Sequence, residues 1–237
     1  MSGTRRAGQQ VAHRLLPARL RPLTIALVVG DCVLFAILAV HFANTVTPGP
    51  IDRAVDGWLA GRAVAHYEVV SRIADLGGPA PVFAMTVVLV CLTLLMRRPR
   101  GAALAATATP TSSTVTELIL KPAIHRLHDG GLSFPSGHAT GVFTVAFVVV
   151  VVMLDPEPHR RLGAARPIAI ASACIVAVGV AVALAAARFH YATDTVGGAA
   201  VALATVLLLG LIVDALADRL GSRRRLATDD DRCVELV

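Results

Sequence analysis

The chain contains 237 residues, of which 55% are hydrophobic and 16% are charged, and its mean hydropathy is +0.69. A soluble domain carries nearer a quarter charged residues, so this composition argues against a soluble protein and indicates an integral membrane protein. The formal net charge is +6, but aromatic residues make up only 4% and no basic stripe alternates with stacking rings. We therefore expect no nucleic-acid binding.

Six long apolar segments follow one another along the chain. They cover residues 23–42, 81–96, 101–120, 137–154, 167–187 and 195–214. Each is close to the ~20 residues that an α-helix needs to span the hydrocarbon core, although the second is short. The first segment exceeds the ~7–15 apolar residues of a signal peptide, so we interpret it as a retained helix. The pattern predicts an all-α, polytopic bundle of six transmembrane helices.

The basic residues predict the orientation of these helices. Sixteen of the 22 Lys and Arg residues lie in the N-terminal arm, in the connections after the second and fourth segments, and in the tail. The positive-inside rule then places both termini in the cytoplasm. It places residues 121–136 and 188–194 together on the outer face of a multi-pass protein of the cell membrane.

The remaining regions carry weaker signals. Residues 51–76 have apolar side chains at helical spacing, which predicts an amphipathic helix on the outer leaflet. The 101–120 segment is rich in Thr and Ser, which favour close helix packing or, alternatively, line a polar cavity. We expect a basic cytoplasmic arm at 1–22, a membrane domain at 23–214 and a cytoplasmic tail at 215–237.

Pro135-Ser136-Gly137-His138 is the most informative motif. It stands at the predicted start of the fourth helix, where Ser136 is a favoured N-cap and Gly137 lets a ligand approach the backbone. The first turn of a helix leaves unpaired N–H groups and a positive dipole end, which together form an anion site. A plain helix start explains Pro-Ser-Gly equally well, but it does not explain His138 at this position.

Two groups of residues flank this motif on the same predicted face. Lys121 is the only lysine of the chain, and Arg126 follows it; both types of cation bind phosphate oxygens, although snorkelling at a helix end is an alternative role. Glu117 lies four residues before Lys121, so the spacing predicts an i, i+4 ion pair that holds the ammonium in place. Downstream, His190 and Asp194 are one helical turn apart, which lets the carboxylate orient the imidazole. Arg188 lies two residues before His190 and offers a further phosphate donor.

Three stretches of the chain resemble the signature motifs of the type 2 phosphatidic acid phosphatase (PAP2) superfamily. They are Lys121 to Arg126, Pro135 to His138, and His190 to Asp194. The resemblance runs from about residue 50 to about residue 200 and includes the six-helix layout. It implies a metal-independent membrane phosphatase that needs no cofactor and passes through a phosphohistidine.

The resemblance also implies a role for each motif residue. His190 would attack phosphorus, Asp194 would orient His190, and His138 would protonate the leaving oxygen. The residues expected to hold the transferring phosphoryl group are Lys121, Arg126, Ser136, Gly137 and Arg188.

The chain departs from the family's pattern at two places. The first motif of the family has an arginine seven residues after the lysine, where this chain has His128. The third motif has an arginine where this chain has Leu184. We therefore predict that Arg126 serves alone in the first motif, and that Arg188, one helical turn beyond Leu184, replaces the missing guanidinium.

The sequence thus predicts a phosphatase that hydrolyses a lipid phosphate at the outer leaflet, and the resemblance implies that the reaction needs no metal. Phosphatidate-like monoesters and polyprenyl diphosphates, such as undecaprenyl diphosphate, both fit the motifs. Transfer of the phosphoryl group to an acceptor other than water would use the same residues. From another class of protein, a lipid-binding or transport protein with a decayed site would explain the two departures.

Overall fold

The computed structural model describes residues 14–154 and 163–234, with side chains as far as Ser222. Several arginines used to predict the orientation lie outside these residues, namely Arg5 and Arg6 of the N-terminal arm and Arg160 and Arg161 of the connection after the fourth segment.

The described residues form nine α-helices and one short hairpin. The helices are α1 (Arg21–Phe42), α2 (Pro50–Ala63), α3 (Tyr67–Asp75), α4 (Pro79–Leu95), α5 (Pro99–Thr114), α6 (Lys121–Ile124), α7 (Gly137–Leu154), α8 (Ala165–Ala186) and α9 (Ala192–Val234). Short 3-10 turns precede α1 (Ala18–Leu20) and α3 (Val64–His66), and a π-helical turn (Val115–Leu120) joins α5 to α6. Strand β1 (Leu127–His128) pairs antiparallel with β2 (Gly131–Leu132).

Helices cover all six predicted apolar segments, but only four are long and apolar enough to cross a membrane. These four are Ala18–Phe42, Gly137–Leu154, Ala165–Ala186 and Ala192–Ser222. The segments Pro50–Asp75 and Pro79–Leu95 are long and apolar enough to cross a membrane only when they are taken together, as a pair bent by 49°. The described residues therefore define a multi-pass membrane protein with four or five candidate spans, and the predicted count of six is not confirmed.

Helix α7 lies at the centre of the bundle and packs against α4, α5, α8 and α9. Its small and β-branched side chains contribute to two buried apolar clusters, one shared with α5 and α9 and the other with α3 and α8. Large apolar side chains of α1, α4 and α8 remain exposed on the outside of the bundle. This distribution is the one expected when lipid, rather than water, surrounds the helices.

Hydroxyl groups of α5 and of the π-helical turn that follows it pair with those of neighbouring helices. The pairs are Thr86 with Thr109 and Ser112 with Thr144, both at 2.9 Å, and Thr116 with Thr140 at 3.3 Å. Such pairs satisfy polar groups where no water is available and let the helices approach closely. Packing, the first of the two predicted roles, is therefore present, and Ser113 of the same segment also lines the cavity described below.

The hairpin between α6 and α7 is missing from the all-α prediction. A left-handed residue, His125 with φ 55°, ends α6, and Asp129 (φ 48°) and Gly130 (φ 79°) form the two-residue turn. Positive φ at both central positions is typical of the tight hairpin turn that Asp-Gly favours. The hairpin matters because it places His128 beside the site described below.

Residues 51–76 form two helices, α2 and α3, where the sequence predicts one. Both helices pack against α8. They keep large apolar side chains exposed, including Trp58 and Val69. Their location on the outer leaflet stays a prediction.

A second polar cluster occupies the end of the bundle near residue 214. Asp214 is fully buried and accepts hydrogen bonds from the backbone amides of Leu15 and Leu16, at 3.0 and 2.9 Å, and from Arg100 at 2.9 Å. These hydrogen bonds hold the arm at residues 14–16 against α9. The predicted domain boundary at 214 lies inside α9, because this helix continues to Val234.

Candidate active site

One cavity of about 520 Å³ collects most of the predicted site residues. It lies at the end of the bundle where α4, α7 and the connection to α9 begin. Its lining residues are Gly77, Pro79, Val82, Ser113, Glu117, Lys121, His128, Gly131, Leu132, Ser133, Gly137, His138, Gly141, Phe189 and His190. The structure therefore brings Lys121, Gly137, His138 and His190 together, and it leaves Arg126, Ser136 and Arg188 outside the lining.

His190 stands just before α9, with the carboxylate of Asp194 behind its ring. The distance from His190 Nδ1 to Asp194 Oδ2 is 3.6 Å, and Asp194 is fully buried. This separation is too long for a hydrogen bond, and within the described chain Nδ1 has no other partner. Such bonds are often long in a resting site and shorten when the substrate binds. Nδ1 is therefore the ring nitrogen on the side of Asp194, and Nε2 is the ring nitrogen on the other side.

His138 faces His190 from the first turn of α7. The two ring centroids are 6.1 Å apart. The backbone and side chain of His138 pack against Gly77, where a Cβ atom would come within 3.0 Å of the histidine. The chain entering α4 therefore packs directly against the start of α7 at His138.

Ser136 caps the N-terminus of α7, as the sequence predicts, but the serine itself is buried. Its Oγ accepts a hydrogen bond from the amide of Ala139 at 3.3 Å, and its own amide donates to the carbonyl of Asp194 at 3.0 Å. Ser136 is fully buried. It therefore positions the start of α7, and the first-turn amides of Gly137 and His138 are the groups left to meet an anion.

Two glycines of α9 let the loop before α7 lie against that helix. A Cβ at Gly197 would lie 2.5 Å from the ring of Phe134, and a Cβ at Gly198 would lie 2.6 Å from the carbonyl oxygen of Ser136. Real side chains essentially never reach such distances, so only glycine fits. The close contact brings the N-terminus of α7 next to Asp194.

Lys121 reaches the cavity from the end of the π-helical turn. Its Nζ lies 2.9 Å from Glu117 Oε1, in the i, i+4 ion pair that the sequence predicts. The lysine side chain is 13% exposed and the glutamate 47%. A Cβ at Gly137 would collide with the Glu117 carboxylate. The ion pair and the start of α7 are therefore packed directly together.

Arg126 does not occupy the place predicted for it. Its guanidinium is fully buried, with one nitrogen 2.6 Å from Asp194 Oδ1 and the other 2.6 Å from Asp52 Oδ2. The plane stacks between the rings of Phe42 and Tyr191, at 3.8 and 4.4 Å. Because two carboxylates and two rings enclose it, direct contact with a phosphate does not fit this placement. The geometry makes Arg126 a support for Asp194.

Asp52 and Asp56 of α2 support the site from outside the cavity lining, and the sequence motifs do not include them. Asp52 is fully buried and accepts from Arg126 and from the amide and hydroxyl of Thr193, at 3.0 and 2.8 Å. Asp56 accepts from the amide of Ala192 at 3.1 Å. The only sign of this role in the sequence is that Asp52 and Asp56 are four residues apart, which places both carboxylates on one face of α2. Helix α2 thus holds the first residues of α9.

Tyr191 completes this buried cluster between the two motifs. Burial raises the pKa of its phenol, against the opposing effect of the Arg126 guanidinium. The phenol therefore stays neutral at physiological pH. The ring also lies against His128, with 4.3 Å between centroids.

The two positions that depart from the family's pattern have different surroundings. His128 lines the cavity and donates from Nε2 to the carbonyl of Arg188 at 2.8 Å. Leu184 is fully buried in an apolar cluster with α3 and α7. The side chain of Arg188 is exposed and is not among the lining residues. The predicted replacement of the missing guanidinium by Arg188 is thus not supported by this geometry.

Metal-ligand clusters are also relevant, because the sequence predicts metal-free chemistry. Within residues 14–154 and 163–222, no group of three or more His, Cys, Asp or Glu side chains is placed to hold a metal ion. Metal independence stays a prediction.

Fold and site together define a multi-pass helical membrane protein with a histidine–carboxylate pair at one end of its bundle. The sequence model of the PAP2 superfamily matches residues 80–217. The chain belongs to the PAP2 superfamily.

A solved structure shares this fold. It is the crystal structure of "the first transmembrane PAP2 type phosphatidylglycerolphosphate phosphatase from Bacillus subtilis", with a TM-score of 0.60 and 21% sequence identity. The similarity covers 81% of this chain and 96% of that chain. A comparison with curated proteins found no match.

Proposed function

We propose that this protein is a lipid phosphate phosphatase that works through a phosphohistidine. The observation that carries the proposal is the pair of histidine rings, His138 and His190, that face each other across one cavity. Asp194 behind His190 and Lys121 beside them provide the orienting carboxylate and a cation. Membership in the PAP2 superfamily and the fold shared with a membrane phosphatase support the reaction class.

In the proposed first step, the lone pair of His190 Nε2 attacks phosphorus. The bond between phosphorus and the bridging oxygen breaks, and its electron pair goes to that oxygen. Protonated His138 gives its proton to the same oxygen, which leaves as an alcohol or, from a diphosphate, as a monophosphate. Asp194 stabilises the charge that develops on the His190 ring.

In the second step, water attacks the phosphohistidine. His138, now neutral, accepts a proton from the water, the P–N bond breaks, and its electron pair returns to His190. Inorganic phosphate then leaves and both histidines are restored. Positioned charges and dipoles provide most of the catalysis of such transfers, here from Lys121 and the first-turn amides of Gly137 and His138.

The cavity walls support a lipid as the substrate. Beyond the histidines, the wall continues along apolar or small residues of α4 and α7, namely Pro79, Val82 and Gly141. Large apolar side chains cover the outer surface of α4. A phosphate near the histidines with its chain directed toward the hydrocarbon layer fits this layout. We propose a phosphatidate-like monoester or a polyprenyl diphosphate as the substrate class.

The proposed membrane arrangement has six crossings, with α4 as the second and α5 with its π-helical turn as the third. Helices α2 and α3 lie on the outer leaflet, both termini are cytoplasmic, and the cavity opens on the extracytoplasmic side. The excess of Arg at the opposite end supports this orientation through the positive-inside rule.

Phosphate release from lipid substrates by the detergent-solubilised protein tests the proposal. We expect release from at least one lipid phosphate, unchanged activity in EDTA, and a fall of at least about 10³-fold in His190→Ala, as for loss of a nucleophile. Protein denatured at alkaline pH should carry phosphate on His190, because the P–N bond of a phosphohistidine is stable in base and is hydrolysed in acid. His125→Ala is a matched control, because His125 lies outside the cavity lining.

Three outcomes would contradict separate parts of the proposal. The absence of release from any lipid phosphate would favour a binding or transport protein. Loss of activity in EDTA would exclude the metal-free mechanism. Transfer of the phosphoryl group to an added alcohol, instead of release of free phosphate, would identify a phosphotransferase.

A further inference from the structure

We propose that the Glu117 carboxylate is an internal competitor of the substrate: it occupies the anion site at the start of α7 until a phosphoryl group replaces it. This role depends on the proposed phosphatase function, because it concerns the site that would hold the phosphoryl group. Three observations carry it, namely where the carboxylate lies, which groups it contacts and how exposed it is.

The Glu117 carboxylate contacts both the Lys121 ammonium and the first residue of α7. Its Oε1 lies 2.9 Å from Lys121 Nζ. It also packs so closely on Gly137 that a Cβ atom there would collide with Oε1 and would lie 3.2 Å from the carboxylate carbon. The same added Cβ would lie 3.6 Å from Lys121 Nζ. The ammonium, the carboxylate and the start of the helix therefore meet at one point of the cavity wall.

The same point of the cavity wall attracts anions. The first turn of α7, a helix of 18 residues, has N–H groups without partners inside the helix and carries the positive end of its dipole. Lys121 adds a full positive charge beside this turn. These are the groups proposed above to stabilise the transferring phosphoryl group. In the described chain, an oxyanion of the protein itself already lies against them.

A phosphoryl group and the Glu117 carboxylate cannot share this point. Phosphate esters carry about 1.5–2 negative charges at neutral pH, and like charges a few Å apart repel strongly where little water screens them. Glu117 also lines the cavity and interacts electrostatically with His138, so its charge acts beyond the ion pair. The carboxylate must therefore turn away when the phosphoryl group binds.

The exposure of Glu117 allows this movement. Its side chain is 47% exposed, whereas that of Lys121 is 13% exposed. An ion pair with a solvated partner contributes little stability, and a carboxylate that turns outward is hydrated by water. The carboxylates beside Arg126 differ, because Asp52 and Asp194 are fully buried. Of these three acids, Glu117 is thus the one that can exchange with a substrate.

The exchange should also act on the product. Inorganic phosphate in the site competes with a carboxylate that remains tethered to the chain beside Lys121. The apparent affinity of a ligand falls in proportion to the fraction of sites that are open to it. Glu117 therefore lowers the affinity for the product and favours its release before the next lipid binds.

A purely structural role for Glu117 predicts the opposite effect of neutralising it. If the carboxylate only holds the Lys121 ammonium in place, its loss would weaken phosphate binding. If the carboxylate competes with the substrate, its loss opens the site and strengthens phosphate binding. Glu117→Gln separates the two roles, because the amide oxygen still accepts a hydrogen bond from Lys121 but carries no charge.

Calorimetric titration of inorganic phosphate into the purified full-length protein in detergent measures this affinity without turnover. We expect Glu117→Gln to lower the Kd of inorganic phosphate by about tenfold, the effect of removing roughly one charge interaction. The KM for a hydrolysed lipid phosphate should fall by a similar factor, while kcat changes less than KM.

Glu68→Gln is the matched control. Glu68 also lies four residues from its cationic partner, Arg72 at 4.0 Å, but its side chain is 88% exposed and lies outside the cavity lining. This variant should leave Kd and KM unchanged. Glu117→Ala is a second variant that removes the charge, and it should also lower the Kd of phosphate. Gel filtration checks that each variant is folded.

The outcomes separate this role from the proposed function. Release of phosphate from no lipid phosphate by the wild-type protein would overturn the function itself. An active wild type whose Kd and KM are unchanged or raised in both Glu117 variants would overturn the competitor role while the phosphatase stands. An equal decrease in Glu68→Gln would indicate a general effect of surface charge and would also overturn it.

Discussion

At the scale of single residues, the buried chain of charges from Asp52 through Arg126 to Asp194 supports the histidine site. Each member is fully buried, and the two ion pairs measure 2.6 Å. Removing one partner from a buried pair leaves an uncompensated charge and costs about 3–5 kcal/mol. Arg126 holds the second oxygen of Asp194, so we expect Asp194 to orient His190 only while this ion pair is intact. We therefore expect Asp52 to affect the proposed reaction without touching the substrate.

Asp52→Asn should lower kcat by about 10–100-fold with a smaller change in KM, as expected when a supporting contact of a functional group is lost. The amide places an N–H donor against Arg126, and Asp194 loses its fixed orientation. Phosphate-release kinetics measure the effect. Asp56→Asn is the matched control, since its amide oxygen still accepts from Ala192, and it should retain nearly full activity. Equal losses in the two variants would contradict a specific role for Asp52.

At the scale of elements, the site depends on how closely the start of α7 approaches α9. Gly197 and Gly198 provide the space, and the amide of Ser136 uses the carbonyl of Asp194 as its acceptor. The π-helical turn before α6 brings Glu117 and Lys121 to the same place, and π-helical turns are frequent at functional sites. Three elements distant in sequence thus meet at one helix N-terminus.

Gly198→Ala should displace the start of α7, because the new Cβ would lie 2.6 Å from the Ser136 carbonyl and 3.0 Å from the Ala139 Cβ. Movement of even about 1 Å in a catalytic group can reduce the rate 100-fold. Gly179→Ala in α8 is the matched control, because a Cβ there meets nothing within 4 Å. Phosphate release by the two variants measures the difference. Full activity in Gly198→Ala would show that the contact has no functional importance.

At the scale of the whole molecule, polar clusters close both ends of an apolar bundle. Asp194 and Asp214 both lie on α9, 20 residues or about 30 Å apart along the helix. The first belongs to the site, and the second joins the N-terminal arm, α5 and α9 through Leu15, Leu16 and Arg100. The two clusters should therefore influence different properties of the protein.

Asp214→Asn should destabilise the protein by about 3 kcal/mol, because it leaves Arg100 without its buried partner, and should lower the apparent Tm by roughly 5–10 °C. The activity of the folded protein should be retained. Thermal unfolding in detergent and phosphate release measure the two properties. Asp218→Asn is the matched control with a smaller effect, since Asp218 is 30% exposed. Lost activity at an unchanged Tm would contradict this separation.

The sequence predicted the local features of the site correctly. His138 at the start of α7, the N-cap at Ser136, and the i, i+4 pairs of Lys121 with Glu117 and of His190 with Asp194 are present. These features depend on neighbours within one helical turn, so residue type and spacing were sufficient. The family was recognisable for the same reason, because its motifs are short and contiguous.

Contacts between distant parts of the chain could not be predicted from residue type and local spacing. Arg126 was predicted to bind phosphate, yet its partners are Asp52, 74 residues away, and Asp194, 68 residues away. His128 reaches the cavity only because a hairpin turns beside Arg188, 60 residues away.

The sequence by itself therefore determined the membrane class and the apolar segments, because these follow from composition and local periodicity, and its short motifs carried the resemblance to the family. Only the tertiary structure decided which cations face the cavity and which are buried on carboxylates. The physical reason is that a charged side chain takes its role from the groups that surround it, and folding brings those groups from distant parts of the chain.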